Sequence, residues 1–213
     1  MKNYPSILGS SDAPQLPCIA FYKYDGSNLR FEWQRKAGWC KFGTRHRLFD
    51  KADPEYGPAI EIFMKKYSSG IEEVIRNRGI QEITCYCEYF GPHSFAGQHN
   101  PKHPALAING IIDNTPMDLV LFDVNIYKKG IMPPQAFIDT FKHLPIARVV
   151  YEGNLDAQFI QDIKNGIYPV VEGVVCKGCV GNSPHGLWMR KIKTQTYIEE
   201  LKRRFNKDWE QYA

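Results

Sequence analysis

Residues 18–44 read CIAFYKYDGSNLRFEWQRKAGWCKFGT. Three apolar and aromatic runs, Cys18–Tyr24, Leu29–Arg35 and Trp39–Thr44, are separated by Asp25-Gly26 and Ala37-Gly38. That pattern predicts a meander of antiparallel strands joined by tight turns. Ahead of it, Pro5, Gly9, Ser10, Ser11, Pro14 and Pro17 mark a breaker-rich lead that should cross the surface. Behind it, Ile60, Phe63, Met64, Tyr67, Ile71, Val74 and Ile75 recur at spacings of three and four between Pro58 and Arg78, which predicts helix, broken at Ser68-Ser69-Gly70. Further strands are expected at Glu82–Phe90, Met117–Ile126, Tyr168–Cys176 and Leu187–Lys193, and helices at Pro133–His143 and Leu155–Lys164. Prolines 133 and 134 suit a first helical turn. Thr196-Tyr197-Ile198-Glu199 has the form of a capping box for a last helix to Tyr212, with Tyr197, Leu201, Phe205 and Trp209 as its apolar stripe. The fold class is α+β: one domain, residues 1–213, built on antiparallel strands with flanking helices, without repeats, low-complexity tracts or a long linker.

Composition excludes several classes. With 213 residues, 43% of them apolar and 23% charged, the chain can bury a core and is neither fibrous nor disordered. A net charge of +4 permits an anionic partner without demanding one. No apolar run is long enough to cross a bilayer and no secretory leader is visible, so a cytoplasmic protein with no membrane partner and six reduced cysteines is expected.

Lys23-Tyr24-Asp25-Gly26-Ser27-Asn28 stands where a strand gives way to a turn. By itself it reads equally well as an exposed lysine before an Asp-Gly hairpin, or as a lysine held rigidly over a pocket. Four more segments follow on predicted strands: Cys87-Glu88-Tyr89-Phe90-Gly91, Leu119-Val120-Leu121-Phe122-Asp123-Val124, Val171-Glu172-Gly173-Val174-Val175-Cys176-Lys177, and Trp188-Met189-Arg190-Lys191-Ile192-Lys193. In this order the five resemble motifs I, III, IIIa, IV and V of the covalent nucleotidyltransferases, the superfamily of ATP-dependent DNA ligases, RNA ligases and mRNA-capping guanylyltransferases. The resemblance spans residues 23–193. The K-x-x-G-[ST]-N form of the first motif and the closing Lys191-Ile192-Lys193 are most similar to the RNA ligase 2-like branch. Capping enzymes and DNA ligases follow motif V with an oligonucleotide-binding barrel, whereas here the chain ends at Ala213. The expectation is a minimal RNA ligase catalytic domain without that barrel, in which a partner protein could replace the absent C-terminal domain.

The resemblance implies an antiparallel-sheet, ATP-grasp-like nucleotidyltransferase domain acting in RNA repair. Lys23 would attack the α-phosphorus of ATP to form a lysyl-adenylate, pass AMP to a 5′-phosphate end, and a 3′-hydroxyl would then displace it. The amine must first be neutral, which at a reference pKa of about 10.4 costs roughly 4–5 kcal/mol at pH 7. Positive charge from Lys191, Lys193 and a bound Mg²⁺, with Mn²⁺ as its replacement, is expected to lower that cost and to neutralise the departing pyrophosphate. By the same resemblance Glu88 serves ribose or metal, Glu172 holds the metal through water, Phe122 stacks on adenine, Asp25, Gly26 and Asn28 belong to the nucleotide site, and Arg45 engages a phosphate or a nucleic-acid end. Nucleic-acid ends, RNA before DNA, are the implied partners. The rivals are a minimal ATP-dependent DNA ligase and an end-binding module without turnover; a pure binder has no need of the nucleophile.

Strand alternation puts Glu88 on one face with Tyr86 and Thr84, and Cys85 and Cys87 on the other, as core thiols behind a polar cleft. Glu172 and Lys177 differ in parity, so both reach the cleft only if a bulge or strand end intervenes. Phe122 is also readable as a core residue. Arg35, Lys36, Lys41, Arg47 and Lys51, interleaved with Trp33, Trp39 and Phe42, could track a phosphate backbone and stack bases, or form a solvated face. Cys85-x-Cys87 with Cys176-x-x-Cys179 has poor spacing for a four-thiolate zinc site. His93, His99 and His103 fall in a Pro- and Gly-containing loop expected to be a mobile flap or a substrate-facing segment, with its histidines solvated.

Overall fold

The computed structural model describes residues 3–91, 117–181 and 186–212. The expected loop histidines lie outside the described residues. Among the described residues, two antiparallel sheets carry the architecture. The larger has six strands in the order β4-β3-β2-β5-β6-β7: β2 (Ser27–Gln34), β3 (Gly38–Thr44), β4 (Leu48–Phe49), β5 (Glu82–Phe90), β6 (Asp118–Ile126) and β7 (Gly130–Ile131). The smaller has four in the order β10-β9-β1-β8: β1 (Pro17–Lys23), β8 (Val149–Asn154), β9 (Gly173–Cys179) and β10 (Leu187–Lys193). Helices α1 (Gly57–Phe63), α2 (Ser69–Asn77), α3 (Pro134–Phe141), α4 (Ala157–Lys164) and α5 (Gln195–Phe205) flank them. Among the described residues, no helix is long and apolar enough to cross a membrane.

The α+β class with antiparallel sheets is as expected, but the meander is not one sheet. β1 pairs with β8 and β9, and β2 pairs with β3 and β5. Asp25-Gly26 is therefore a crossing between sheets rather than a hairpin turn. Gly26 is required for close approach: a Cβ there would sit 2.3 Å from the Tyr89 carbonyl oxygen. The second expected turn does close a hairpin, with Trp33 opposite Trp39 and Gln34 opposite Gly38.

Alternation along β1 divides the interior. Ile19 and Phe21 enter the main core, with Leu29, Phe31 and Trp33 of β2, Cys85 and Cys87 of β5, and Ile60, Phe63, Ile71, Phe137 and Phe141 from the helices. Cys18, Ala20 and Tyr22 face a second core, with Phe159 and Ile163 of α4, Val174 and Cys176 of β9 and Ile192 of β10. Of the four thiols with poor spacing for zinc, Cys85 and Cys87 lie in the main core and Cys176 in the second, while Cys179 is half-buried at the end of β9.

Other expectations shift. The Ser68-Ser69-Gly70 breakers do not end the helix. A π-helical stretch, Met64–Ser68, carries α1 into α2, with the Ser68 hydroxyl bonded to the Met64 carbonyl. The fourth-motif strand begins at Gly173, later than Tyr168. The last helix is capped by Thr194, whose Oγ1 accepts from Tyr197 N at 3.2 Å, so the capping box at Thr196 is displaced by two residues, and the helix passes into a 3₁₀ turn, Asn206–Tyr212.

Candidate active site

Residues 19, 21 and 23 share one face of β1, so the strand that buries Ile19 and Phe21 delivers Lys23 to the space between the two sheets. On the same face of the small sheet, opposite the second core, stand Lys177 of β9 and Lys191 and Lys193 of β10. The large sheet answers with its polar face: Asn28 from β2 and Glu88 from β5, which are cross-strand partners, and Phe122 from β6. Lys23, Asn28, Arg45, Glu88, Phe122 and Lys191 line one cleft of about 300 Å³. That volume is the lower end of what a small-molecule ligand occupies.

Glu172 is the hub. Its Oε1 lies 2.8 Å from Lys23 Nζ and 2.8 Å from Lys193 Nζ, and the carboxylate is nearly fully buried. Lys23 keeps a quarter of its side chain exposed. Glu172 reaches this position because it precedes β9. Gly173, at φ +149, breaks the alternation and abuts Ile192 so closely that a Cβ would fall 1.9 Å from its carbonyl oxygen. The parity conflict between Glu172 and Lys177 is resolved by that strand end. The other Glu172 oxygen, Oε2, is buried without a hydrogen-bond partner.

The charges interact strongly. Burial alone would lower the Lys23 ammonium, but Glu172, then Glu88 and Asp25, outweigh it and raise its pKa. In the protein alone, without the Mg²⁺ that the expected lowering includes, Glu172 at 2.8 Å dominates over Lys191 and Lys193. Burial would raise Glu172, yet Lys23 and Lys193 hold it below the usual range. Burial pushes Glu88 up to about 8 and, together with Glu172, Asp25 up to about 6. Lys191 is lowered, first by burial and then by Lys193 and Lys23. The pocket therefore holds its cations and carboxylates in mutual balance, suited to a ligand carrying both phosphate and metal.

Phe122 is the unpaired residue of a bulge: Tyr86 faces Asp123 and Cys87 faces Leu121. At the bulge the half-buried ring both lines the cleft and packs against the edge of the main core. Beneath it Lys177, 2% exposed, donates to the Phe122 carbonyl at 2.9 Å and pairs with Asp123 at 2.8 Å. Tyr4 packs edge-on against Phe122 at 5.1 Å between ring centroids, and its hydroxyl donates to Asp123. The sequence offers no local signal for Tyr4, which sits in the breaker-rich lead. Leu8, in the same lead, forms a parallel bridge to Arg190, and its carbonyl accepts from Lys191 N at 2.9 Å.

Arg45, exposed in the β3–β4 turn, reaches the cleft, while the aromatics interleaved with its basic segment are not free to stack bases. Trp33 is fully buried, Trp39 packs on Phe63 at 4.6 Å and Phe42 on Phe31 at 5.8 Å. Arg47 is paired with Asp53 and Glu55. The hairpin's aromatics belong to the core.

Glu88 and Glu172 are hard oxygen donors, and the unpartnered Glu172 Oε2 fits a divalent cation or its bound water. Among the described residues, no three carboxylate, imidazole or thiolate groups converge on one metal position. Such a cation would complete its shell with phosphate and water, as Mg²⁺ ordinarily does.

No family model matches the sequence, and no curated protein sequence matches it. Solved structures do. An RNA ligase of Naegleria gruberi with AMP and Mn superposes with a TM-score of 0.67 at 13% identity, over 96% of this chain and 59% of that one. The same organism's RNA ligase with PPi gives 0.66 at 14%, over 96% and 59%. An archaeal ATP-dependent RNA ligase gives 0.63 at 16%, over 98% and 52%. The chain spans between half and three fifths of these proteins and shares its fold with the matched part of ATP-dependent RNA ligases.

Proposed function

We propose that the protein is an ATP-dependent RNA ligase-type nucleotidyltransferase that works through a lysyl-adenylate on Lys23. The observation that carries this reading is Glu172 Oε1 held at 2.8 Å from both Lys23 and Lys193, with Lys23 itself lining a cleft beside Glu88, Lys191, Asn28, Arg45 and Phe122. Residues from the five motifs thus stand near one another, which supports the reading. The shared fold with RNA ligases, two of them with AMP and Mn or with PPi, supports it.

Lys23 Nζ, once deprotonated, attacks the α-phosphorus; the N–P bond forms as the P–O bond to pyrophosphate breaks. Lys191 and Lys193 face the phosphate path and offset the charge on the departing oxygens. Glu88 and Glu172 would hold Mg²⁺ or Mn²⁺, whose charge cancels the carboxylates that keep the proton on Lys23 and polarises the phosphate. Phe122 supplies a face for adenine, its carbonyl fixed by Lys177. Transfer of AMP to a 5′-phosphate end and its displacement by a 3′-hydroxyl complete the cycle. Arg45, at the exposed lip, is placed to receive the end, and RNA is proposed over DNA.

Incubation with ATP labelled at the α-phosphate and Mg²⁺ should leave acid-stable label on the wild-type protein and none on Lys23→Ala. Equal labelling of the variant would remove Lys23 from this role. Comparing RNA and DNA on the 3′-hydroxyl side tests the strand preference; equal sealing of both would refute it.

A further inference from the structure

Helix α5 lies outside all five motifs, yet its first turn touches three of them. Thr194, its N-cap, receives nothing from solvent: it is 3% exposed. Its N–H donates to the Glu172 carbonyl at 3.0 Å, and its hydroxyl donates to the Val171 carbonyl at 2.7 Å while accepting from Tyr197 N at 3.2 Å. Tyr197, one turn on and 7% exposed, reaches back into the site. Its hydroxyl donates to Asp25 Oδ2 at 3.0 Å, and its ring lies under the Lys193 ammonium, 4.7 Å from the centroid. One side chain therefore meets the sheet crossing that follows Lys23 and the lysine that shares Glu172 with it.

Neither contact is needed to bury the ring. Tyr197 is buried whether or not it carries a hydroxyl, and a phenylalanine would be so without placing a polar atom where water is excluded. The hydroxyl is satisfied by a carboxylate two residues from the proposed nucleophile, on a segment also held by the close packing of Gly26 against Tyr89, by the Gly26 N–H bonded to Glu88 and by the Tyr24 ring against Phe90. A crossing between two sheets lacks the ladder bonds that hold a strand, so a single charge-assisted hydrogen bond has leverage on its geometry. The cation–π contact fixes the opposite wall, since a lysine ammonium over an aromatic face is held without a bond being directed at it.

Resting on the reading of the site given above, we infer that Tyr197 is a positioning residue for adenylylation: its hydroxyl locks Asp25 and its ring seats Lys193, so that the first turn of α5 sets the spacing between Lys23 and Lys193 across Glu172. The substitution Tyr197→Phe isolates the hydroxyl, because ring, packing and cation–π contact are retained. The reacting lysine remains present but is less often aligned, so the loss falls on kcat and not on ATP binding.

The test is the initial rate of label transfer from α-labelled ATP to wild type, Tyr197→Phe, Asp25→Ala and the double variant, with thermal unfolding of each. Tyr197→Phe should lower kcat for adenylylation about tenfold, with the KM for ATP within about twofold and an unchanged unfolding midpoint. In the Asp25→Ala background the same substitution should cost nothing further. A labelling wild type with an equally fast Tyr197→Phe overturns the inference alone. So does a loss shared between kcat and KM with a lowered midpoint, which is the signature of damaged packing, and so does a loss that adds to that of Asp25→Ala. A wild type that takes no label overturns the reading of the site and this inference with it.

Discussion

Glu172 Oε1 accepts from two lysines at once, and the consequences of that sharing differ for each partner. Lys193 is oriented by Glu172 and by the Tyr197 ring, and in the proposed reaction it would face the departing pyrophosphate, while Arg45 stands exposed at the cleft. Lys193→Ala should therefore lower adenylylation by about a hundredfold, on the scale of removing one fixed transition-state donor. Arg45→Ala should leave adenylylation within about threefold and mainly impair sealing by pre-adenylated protein. Single-turnover rates of the two steps separate these outcomes, and the reverse ranking would break the division of roles. Asp25 carries a pH signature. Burial, then Glu172, raises it to about 6. Between the unfolded value of about 3.9 and that point, the folded protein keeps a proton that the unfolded chain has released. Stability from this group is full below about pH 3.9 and is lost as pH rises through about 6. Urea unfolding should show a smaller fall in stability from about pH 4 to about pH 7 in Asp25→Asn than in wild type; equal falls would contradict the assignment. At this scale the sequence is informative where a residue type is tied to a motif. Lys23, Glu88, Phe122, Glu172, Lys191 and Lys193 can be named from their motifs alone. Tyr4 and Tyr197 cannot, because their roles are contacts between segments 119 and 172 positions apart, and aromatic residues in a lead or on a helix stripe look like ordinary packing.

Two irregularities aim the site's side chains. The bulge at Phe122 delivers a ring to the cleft, and the strand start at Gly173 delivers Glu172. At Gly173 both the backbone angle and the 1.9 Å approach to the Ile192 oxygen forbid a side chain. Gly173→Ala should cost more than about 2 kcal/mol, since relief requires β9 and β10 to part at the position that presents Lys193. Denaturant unfolding checks this, and a loss below about 0.5 kcal/mol would mean that the pairing is not under the stated constraint. Element reading from sequence follows the same physics. β5 and β10 have the expected bounds because their alternation is strong and their ends are marked. β8 escapes it: Val149-Val150-Tyr151-Glu152-Gly153-Asn154 is an edge strand with no fully buried side chain, and its Gly-Asn end looks like a loop. Ser68-Ser69-Gly70 looks like a break because local propensity is blind to Tyr67, whose buried hydroxyl bonds the carbonyls of Leu119 and Pro145 and holds the π-turn in place.

Across the molecule the decisive event is the divergence of β1 and β2 into separate sheets. A hairpin at Asp25-Gly26 would have left Lys23 on a surface turn; the crossing instead leaves it between two polar faces, beside strands from the far end of the chain. The α+β class is legible because alternation and helical spacing are local properties. Partition into two sheets is not, since strand partners are chosen by long-range burial: Ile19 and Phe21 enter one core, Cys18, Ala20 and Tyr22 the other. The likeness to RNA ligases is likewise one of fold, at only 13–17% identity. The most direct test of Lys23 as the nucleophile is peptide mapping by mass spectrometry after incubation with ATP and Mg²⁺. The result expected is the added mass of one adenylyl group on the peptide containing Lys23, lost on Lys23→Ala. Adenylylation of a different residue, or none at all, would contradict it.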